Sequence, residues 1–203
     1  MKTTAQTSEA AREVPGGARR ILLHACCAPC SSAIVEYLMQ GGVEPVIFYS
    51  NPNIYPREEY EHRRDECARY ARHWGVQMVE DRYDHAAWRQ VVQGLEGEPE
   101  RGRRCQACFR YRLGRAAAYA QEQGYPVLTT TLASSRWKRL DQIDEAGTEA
   151  CAAEPDVCWW DRNWRKGGLQ ERRNEIIREQ QFYNQRYCGC EFSMGKIQSD
   201  EQH

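Results

Sequence analysis

Ten cysteines in 203 residues are the part of this sequence best able to do chemistry. Cys26 and Cys27 are adjacent, Cys105 and Cys108 stand three apart, and Cys188 and Cys190 flank a single glycine. Thiols spaced like this hold a metal or exchange electrons as a dithiol–disulfide couple. Cys26, Cys27, Cys105 and Cys108 together offer four thiolates. That set suits a [4Fe–4S] cluster or an all-cysteine zinc site, and spacing alone admits both. Both pairs are predicted beside helix N-termini, whose partial positive charge favours thiolates. On a helical first turn, Cys105 and Cys108 face the same way. The Cys188-Gly189-Cys190 pair can bind a metal side by side or close a strained, easily reduced disulfide. Cys27-Ala28-Pro29-Cys30 also has the form of a thioredoxin-like redox site, but such a site uses neither Cys26 nor the Cys105/Cys108 pair. Cys67, on the apolar face of a helix, reads as core, and Cys151 and Cys158 read as structural.

Basic and aromatic residues flank the cysteines. Arg101, Arg103, Arg104, Arg110, Arg112 and Arg115 fall in one stretch without an acid. Trp137-Lys138-Arg139 and the segment from Asn163 to Gly168 add two basic–aromatic clusters. Guanidinium groups bind phosphates and flat rings stack on unpaired bases. Any one such run reads as a solvated helix face. Three around one chemical centre read as a surface for a polynucleotide. Asn51, Asn53, Tyr55, Arg104, Arg110, Arg112, Ser134, Ser135, Arg165 and Lys166 are the candidate substrate contacts. His24 reads as a satisfied core residue, and Asp141, Asp144 and Glu145 as helix surface.

Positioning these residues requires a sheet. Short apolar runs predict strands at 21–25, 43–50, 76–83 and 127–133. Helical periodicity predicts a helix entered within 26–32 and continuing from about 33 to 40, and helices over 57–74, 86–95, 105–123 and 136–153. Alternating strands and helices predict an α/β fold, a parallel sheet covered on both faces. In such sheets, sites form beyond the carboxyl ends of the strands. The cysteines after the first strand, the Asn-Pro-Asn loop after the second and Ser134-Ser135-Arg136 after the fourth are therefore expected in one crevice. The organisation expected is a disordered leader (1–19), an α/β domain (20–153), a Cys- and Arg-rich helical cap (154–194) and a flexible tail (195–203). A net charge of −1 gives no overall signal for nucleic acid. No apolar run suits a membrane span or a secretory signal, so a reducing cytoplasm is the expected compartment and structural disulfides are not.

The segments L-L-H-A-C-C-A-P-C-S, N-P-N-I-Y-P-R-E-E-Y, R-C-Q-A-C-F-R-Y-R-L, T-T-T-L-A-S-S and F-Y-N-Q-R-Y-C-G-C-E-F-S occur in this order. Together they resemble the QueH family of epoxyqueuosine reductases over about residues 21–194. The resemblance implies a fold related to the adenine-nucleotide α-hydrolases and PP-loop proteins. The cysteine cluster stands where those proteins carry a glycine-rich phosphate loop, so no ATP is expected. It also implies a [4Fe–4S] cluster on Cys26, Cys27, Cys105 and Cys108 and a redox-active Cys188–Cys190 pair. A second, mononuclear iron is implied as well, with Cys30 as its candidate ligand. The implied reaction removes the epoxide oxygen of epoxyqueuosine in the anticodon loop of a tRNA, with electrons from a donor yet to be identified. The residues alone leave two other functions open: a thiol–disulfide oxidoreductase on Cys27 and Cys30, and a zinc-stabilised RNA-binding module.

Overall fold

The computed structural model describes residues 12–185 and 187–193. Strands β1 (Arg20–His24), β2 (Glu44–Tyr49), β3 (Met78–Glu80), β4 (Val127–Thr130) and β5 (Cys158–Trp159) form one parallel sheet in the order β3-β2-β1-β4-β5. The helices are α1 (Ala28–Gln40), α2 (Arg57–Trp74), α3 (His85–Val91), α4 (Arg103–Gln123), α5 (Leu140–Ala152) and α6 (Leu169–Glu179).

Side chains alternate across a strand, and here both faces are covered. Ile21 and Leu23 of β1 pack with Ile34 and Leu38 of α1, Tyr60 of α2 and Ile176 of α6. Leu22, Val46, Phe48 and Leu128 point the other way, onto Ala116, Ala117 and Ala120 of α4. Three alanines on one stripe let α4 approach the sheet closely. Strands buried on both faces read as continuous apolar runs, which is why β1, β2 and β4 stand out in the sequence. The architecture is the expected α/β sheet with helices on both faces, and it agrees with the fold the resemblance implies.

The chain runs outward from β1 through β2 to β3, then returns to β4 on the other side of β1. A strand order that reverses at β1 opens a crevice at its carboxyl end. Beneath that crevice, His24 Nδ1 lies 2.7 Å from Thr130 Oγ1 and Nε2 lies 3.1 Å from Ser50 O. One fully buried imidazole thus ties β1 to β4 and to the end of β2. Burial, aided by the Arg112 charge, pushes it down to about 3, so it is neutral, as a core histidine should be.

Several boundaries differ from expectation. The fourth strand stops at Thr130 because Thr130 Oγ1 accepts from Leu132 N–H at 3.2 Å, turning residues Thr131–Ser134 into a 3-10 turn. The helix expected from residue 136 starts at Leu140. The boundary expected at 154 does not divide two cores. Cys158 and Trp159 extend the sheet as β5, and Trp160, Trp164, Leu169 and Phe182 join the same core as Ile21. A two-residue strand is too short to carry a period. Within the expected leader, Val14 is buried in that core and Glu13 pairs with Arg162. Residues 1–11 and the expected tail lie outside the described residues.

Candidate metal centre

Cys26 and Cys27 follow β1 directly, and Cys27 sits at the N-cap of α1 with an extended backbone. Pro29, in the first turn of α1, has the fixed φ a helix start needs and no N–H to leave unpaired. The turn folds Cys30 back, so that the sulfurs of Cys26, Cys27 and Cys30 all lie within 4.8 Å of one another. Cys26 Sγ and Cys27 Sγ are 3.8 Å apart. Thr131, at the end of β4, donates its hydroxyl to Cys26 Sγ at 3.4 Å and accepts the Cys26 N–H at 3.1 Å.

Cys105 and Cys108 occupy the first turns of α4, three residues apart on one face. The Arg101 N–H donates to Cys105 Sγ at 3.3 Å. Arg101 itself adopts a φ of +68°, an uncommon left-handed conformation for a side chain of this size.

The third cysteine pair arrives on the C-terminal segment. Ile54 and Cys190 form an antiparallel bridge, and the Tyr55 N–H donates to Gly189 O at 2.9 Å. Arg63, only 3% exposed on α2, is paired with Glu59 at 2.6 Å and donates to the carbonyls of Cys188 (3.2 Å) and Tyr187 (3.4 Å). Glu191 lies 3.2 Å from His85 Nε2 and accepts from Arg89 at 2.8 Å. Phe192 packs against the buried Trp88.

These three segments enclose one cavity of about 720 Å³, lined by seven cysteines: Cys26, Cys27, Cys30, Cys105, Cys108, Cys188 and Cys190. The expected crevice is therefore present. Asn51, Asn53, Arg104, Arg112, Ser134 and Ser135 also line it. Four of the expected substrate residues do not. Arg110 turns outward to Glu145 (2.9 Å) and Glu149 (2.7 Å). Tyr55 and Lys166 are absent from the lining, and Arg165 supports the wall from behind by donating to the carbonyls of Ser135 and Lys138. Two lining arginines are structural ties: Arg104 donates to the carbonyls of Glu96 and Glu98, and Arg112 to Ser50 O and the Asn51 side chain. Trp164, placed by its neighbours among the basic–aromatic clusters, is fully buried and donates to Thr129 Oγ1 at 3.2 Å.

Arg63 and Lys138 are the cavity residues least visible in the sequence. For Arg63 a signal exists: with Tyr60, Cys67 and Tyr70 it falls on the buried stripe of α2, where an arginine needs a partner. The sequence marks Lys138 only as part of the basic–aromatic cluster Trp137-Lys138-Arg139, with nothing to say that it faces the thiols. Its ammonium is half-buried in the cavity without a carboxylate partner among the described residues. Burial opposes its charge, but Cys188, Cys26 and Cys30 hold it above the ordinary lysine range.

The thiols resist ionisation where burial dominates: Cys105 is pushed up to about 11, Cys190 to about 12 and Cys108 in the same direction. Cys26 is the exception, drawn down by hydrogen bonds from Cys27 and Cys30 and by the Lys138 charge. Cys27 and Cys30, donating to it, move up.

The family model for epoxyqueuosine reductase QueH matches residues 21–196. The chain belongs to the QueH family. Relatives named epoxyqueuosine reductase QueH include one from Histophilus somni, 45% identical over 90% of this chain and 75% of its own length. Those from Haemophilus influenzae (44%, 90% of this chain, 74% of its own) and Acinetobacter baylyi (43%, 90% and 84%) are similarly close. In this QueH-family cavity the Cys26, Cys27 and Cys30 group has the donors to bind a metal.

Two observations fit a metal ion held by these thiols. A cluster of buried thiols with raised pKa values is what a cation would stabilise as thiolates. Asn53 Oδ1 is also buried beside the cavity without a hydrogen-bond partner among the described residues, while the Trp88 indole faces the Cys108 thiol. Buried polar atoms of this kind are rare unless a ligand or water meets them.

Proposed function

We propose that this protein is an iron–sulfur epoxyqueuosine reductase. It removes the epoxide oxygen of epoxyqueuosine in tRNA, giving the alkene of queuosine and water as two electrons and two protons are taken up. The observation that carries the reading is seven cysteines on one cavity at the switch point of the sheet, in a chain of this family. Cys26, Cys27, Cys105 and Cys108 would hold a [4Fe–4S] cluster, and Cys30 is the candidate ligand of a second iron. Bound there, the metal group supplies single electrons and a Lewis acid for the epoxide oxygen.

The chain's own residues do the rest. Cys188 and Cys190 form the redox-active pair, able to pass two electrons as a dithiol. The Lys138 ammonium is placed to donate a hydrogen bond to the departing oxygen and to offset its negative charge. Trp88 and Phe109 are apolar wall that limits water around the sulfurs. Asn53 Oδ1 offers an acceptor to an N–H of the modified base. The mouth of the cavity admits a base splayed out of a single-stranded loop, the usual way a protein reaches a nucleotide in RNA.

Anaerobic purification followed by absorbance, iron and sulfide analysis tests this. A brown protein with about four iron and four sulfide per chain, as that cluster type requires, is expected. A protein with zinc or no metal that still reduces a small-molecule disulfide would overturn the reading in favour of Cys27 and Cys30 thiol exchange. Single-turnover reduction of the modified tRNA should disappear in Cys188→Ser, Cys190→Ser. Normal turnover would remove that pair from the reaction.

A further inference from the structure

Among the described residues Trp137 is the most exposed of the large hydrophobics, at 63%, yet it lines the cysteine cavity. A side chain that is both exposed and cavity-lining stands at the mouth. An indole this exposed leaves most of its apolar area uncovered by the fold. The backbone beneath it is nonetheless rigidly held. Arg101 Nε donates to Trp137 O at 2.9 Å, and Arg165 donates to Ser135 O and Lys138 O on either side. Arg101 keeps its positive φ in making this tie, a strain of the sort stored at functional sites. A short irregular segment between β4 and α5 is thus braced from two directions to present one aromatic ring outward.

The charge around the ring is equally specific. Arg136 lies over the indole, 4.7 Å from the ring centroid, and has no carboxylate partner among the described residues. Arg173 of α6, on the same mouth, bonds only to the Asn174 side chain there. Many other arginines, Arg57, Arg64, Arg82, Arg89, Arg103, Arg110, Arg115 and Arg172 away from the cavity and Arg63 and Arg139 on it, pair with acids. In a chain of net charge −1, uncompensated guanidinium groups beside a bare indole at the mouth match an alternation of phosphate and base.

We propose that Trp137 is the stacking platform for the nucleotide next to the one that enters the cavity, with Arg136 and Arg173 taking the flanking phosphates. When a base leaves a single-stranded stack, its neighbour loses a stacking face, and an indole at the mouth restores one. This inference rests on the tRNA reading above and names the residues that hold the loop while one base is drawn in.

The test uses the full chain and an unmodified anticodon stem-loop RNA with 2-aminopurine in the loop on either side of the target nucleotide. Fluorescence of this base falls when it stacks. Wild type is expected to bind and quench one of the two labelled RNAs. Trp137→Ala should weaken binding about 5- to 150-fold, the range for losing one base–aromatic stack. It should also restore the fluorescence while leaving the salt dependence unchanged. Trp137→Phe should recover most of both. Arg136→Gln and Arg173→Gln should instead each lower the slope of log K against log salt by about 0.7. Unchanged melting of Trp137→Ala is expected from the exposure of the ring. Wild-type binding with equal affinity and equal quenching in Trp137→Ala would overturn the platform alone. No RNA binding by wild type at low salt would overturn the tRNA reading with it.

Discussion

Gly189→Ala puts the C-terminal wall of the cavity under a calculable load. Gly189 has a φ of +94°, and a Cβ there would lie 2.8 Å from Arg63 Nη1 and 3.0 Å from Ile54 Cγ1. An L-residue in a left-handed conformation costs about 1–2 kcal/mol. The neighbours cannot yield cheaply, since Arg63 is fixed by Glu59 and the carbonyls of Cys188 and Tyr187, and Ile54 is core. Overpacking of that kind adds about 1–3 kcal/mol. The wall should lose roughly 2–5 kcal/mol against its local opening, which at about 1.4 kcal/mol per decade raises the open fraction about 30- to several-thousand-fold. Because residues 187–193 form no part of the sheet, the cost falls on that segment and global melting should barely move. Alkylation rates of Cys188 and Cys190 in metal-free protein, read by mass spectrometry, measure the opening directly. Turnover of the modified tRNA should fall in parallel. Rates within about threefold of wild type, a difference under 1 kcal/mol, would refute the claim that this glycine holds the wall in place.

Other consequences are quicker to state. In Gly147→Ala the new methyl would overlap the Trp159 indole, so α5 must lift from β5. A loss of about 1–3 kcal/mol should appear as a melting decrease of several degrees by calorimetry, with metal content retained. Arg110→Gln should change stability by no more than about 1 kcal/mol, as for any exposed ion pair, and leave RNA affinity unaltered. A tenfold weaker complex would return Arg110 to the substrate surface. Asp81 accepts from Ser50 Oγ at 2.6 Å and pairs with Arg115. Burial would raise its pKa, but the hydrogen bonds from Arg115 and Ser50 outweigh it and hold the carboxyl below its ordinary value. The stability this contributes is present above the ordinary carboxylate pKa, about 4, and is lost as pH falls through the folded value. Urea midpoints of wild type should therefore drop more steeply from pH 5 to 3 than those of Asp81→Asn; parallel curves would contradict the assignment.

The fold was legible where one physical rule acts alone. Doubly buried strands leave apolar runs, and Gly75 and Gly124, both at positive φ, end α2 and α4 at the expected residues 74 and 123. The cysteine cavity stood out because adjacent thiols at a strand end and a C-x-x-C pair at a helix start have few uses other than binding metal or exchanging electrons. What the sequence could not separate was look-alikes. Trp137 and Trp164 both stand beside basic residues, yet one is open to solvent and the other buried, and only tertiary packing distinguishes them. The arginines of the 101–115 stretch share a composition but not a task. Arg104 and Arg112 brace loops, Arg110 and Arg115 pair with acids, and Arg101 supports the mouth. Hydrogen-bond partners far away in the chain decide these roles, and no local pattern encodes them. No spacing in the sequence brings Cys188 and Cys190 to that cavity; Arg63 on the inner stripe of α2, bonded to the Cys188 and Tyr187 carbonyls, holds them there.

The cavity's walls also have an order in time. The cysteines of the β1 and α4 walls, and all five strands, precede Cys188 by about thirty residues or more. At roughly 5–20 residues per second of synthesis, with domains folding from the N-terminal side, a sheet bearing five of the seven cavity thiols has on the order of seconds to collapse before the last two emerge. Metal delivery would then meet an open bowl, and the arrival of Tyr187 to Ser193, latched by Arg63 and Glu191, would close it. A protein laid out in this order brings in the last two of its seven cavity cysteines after the other five have taken their places.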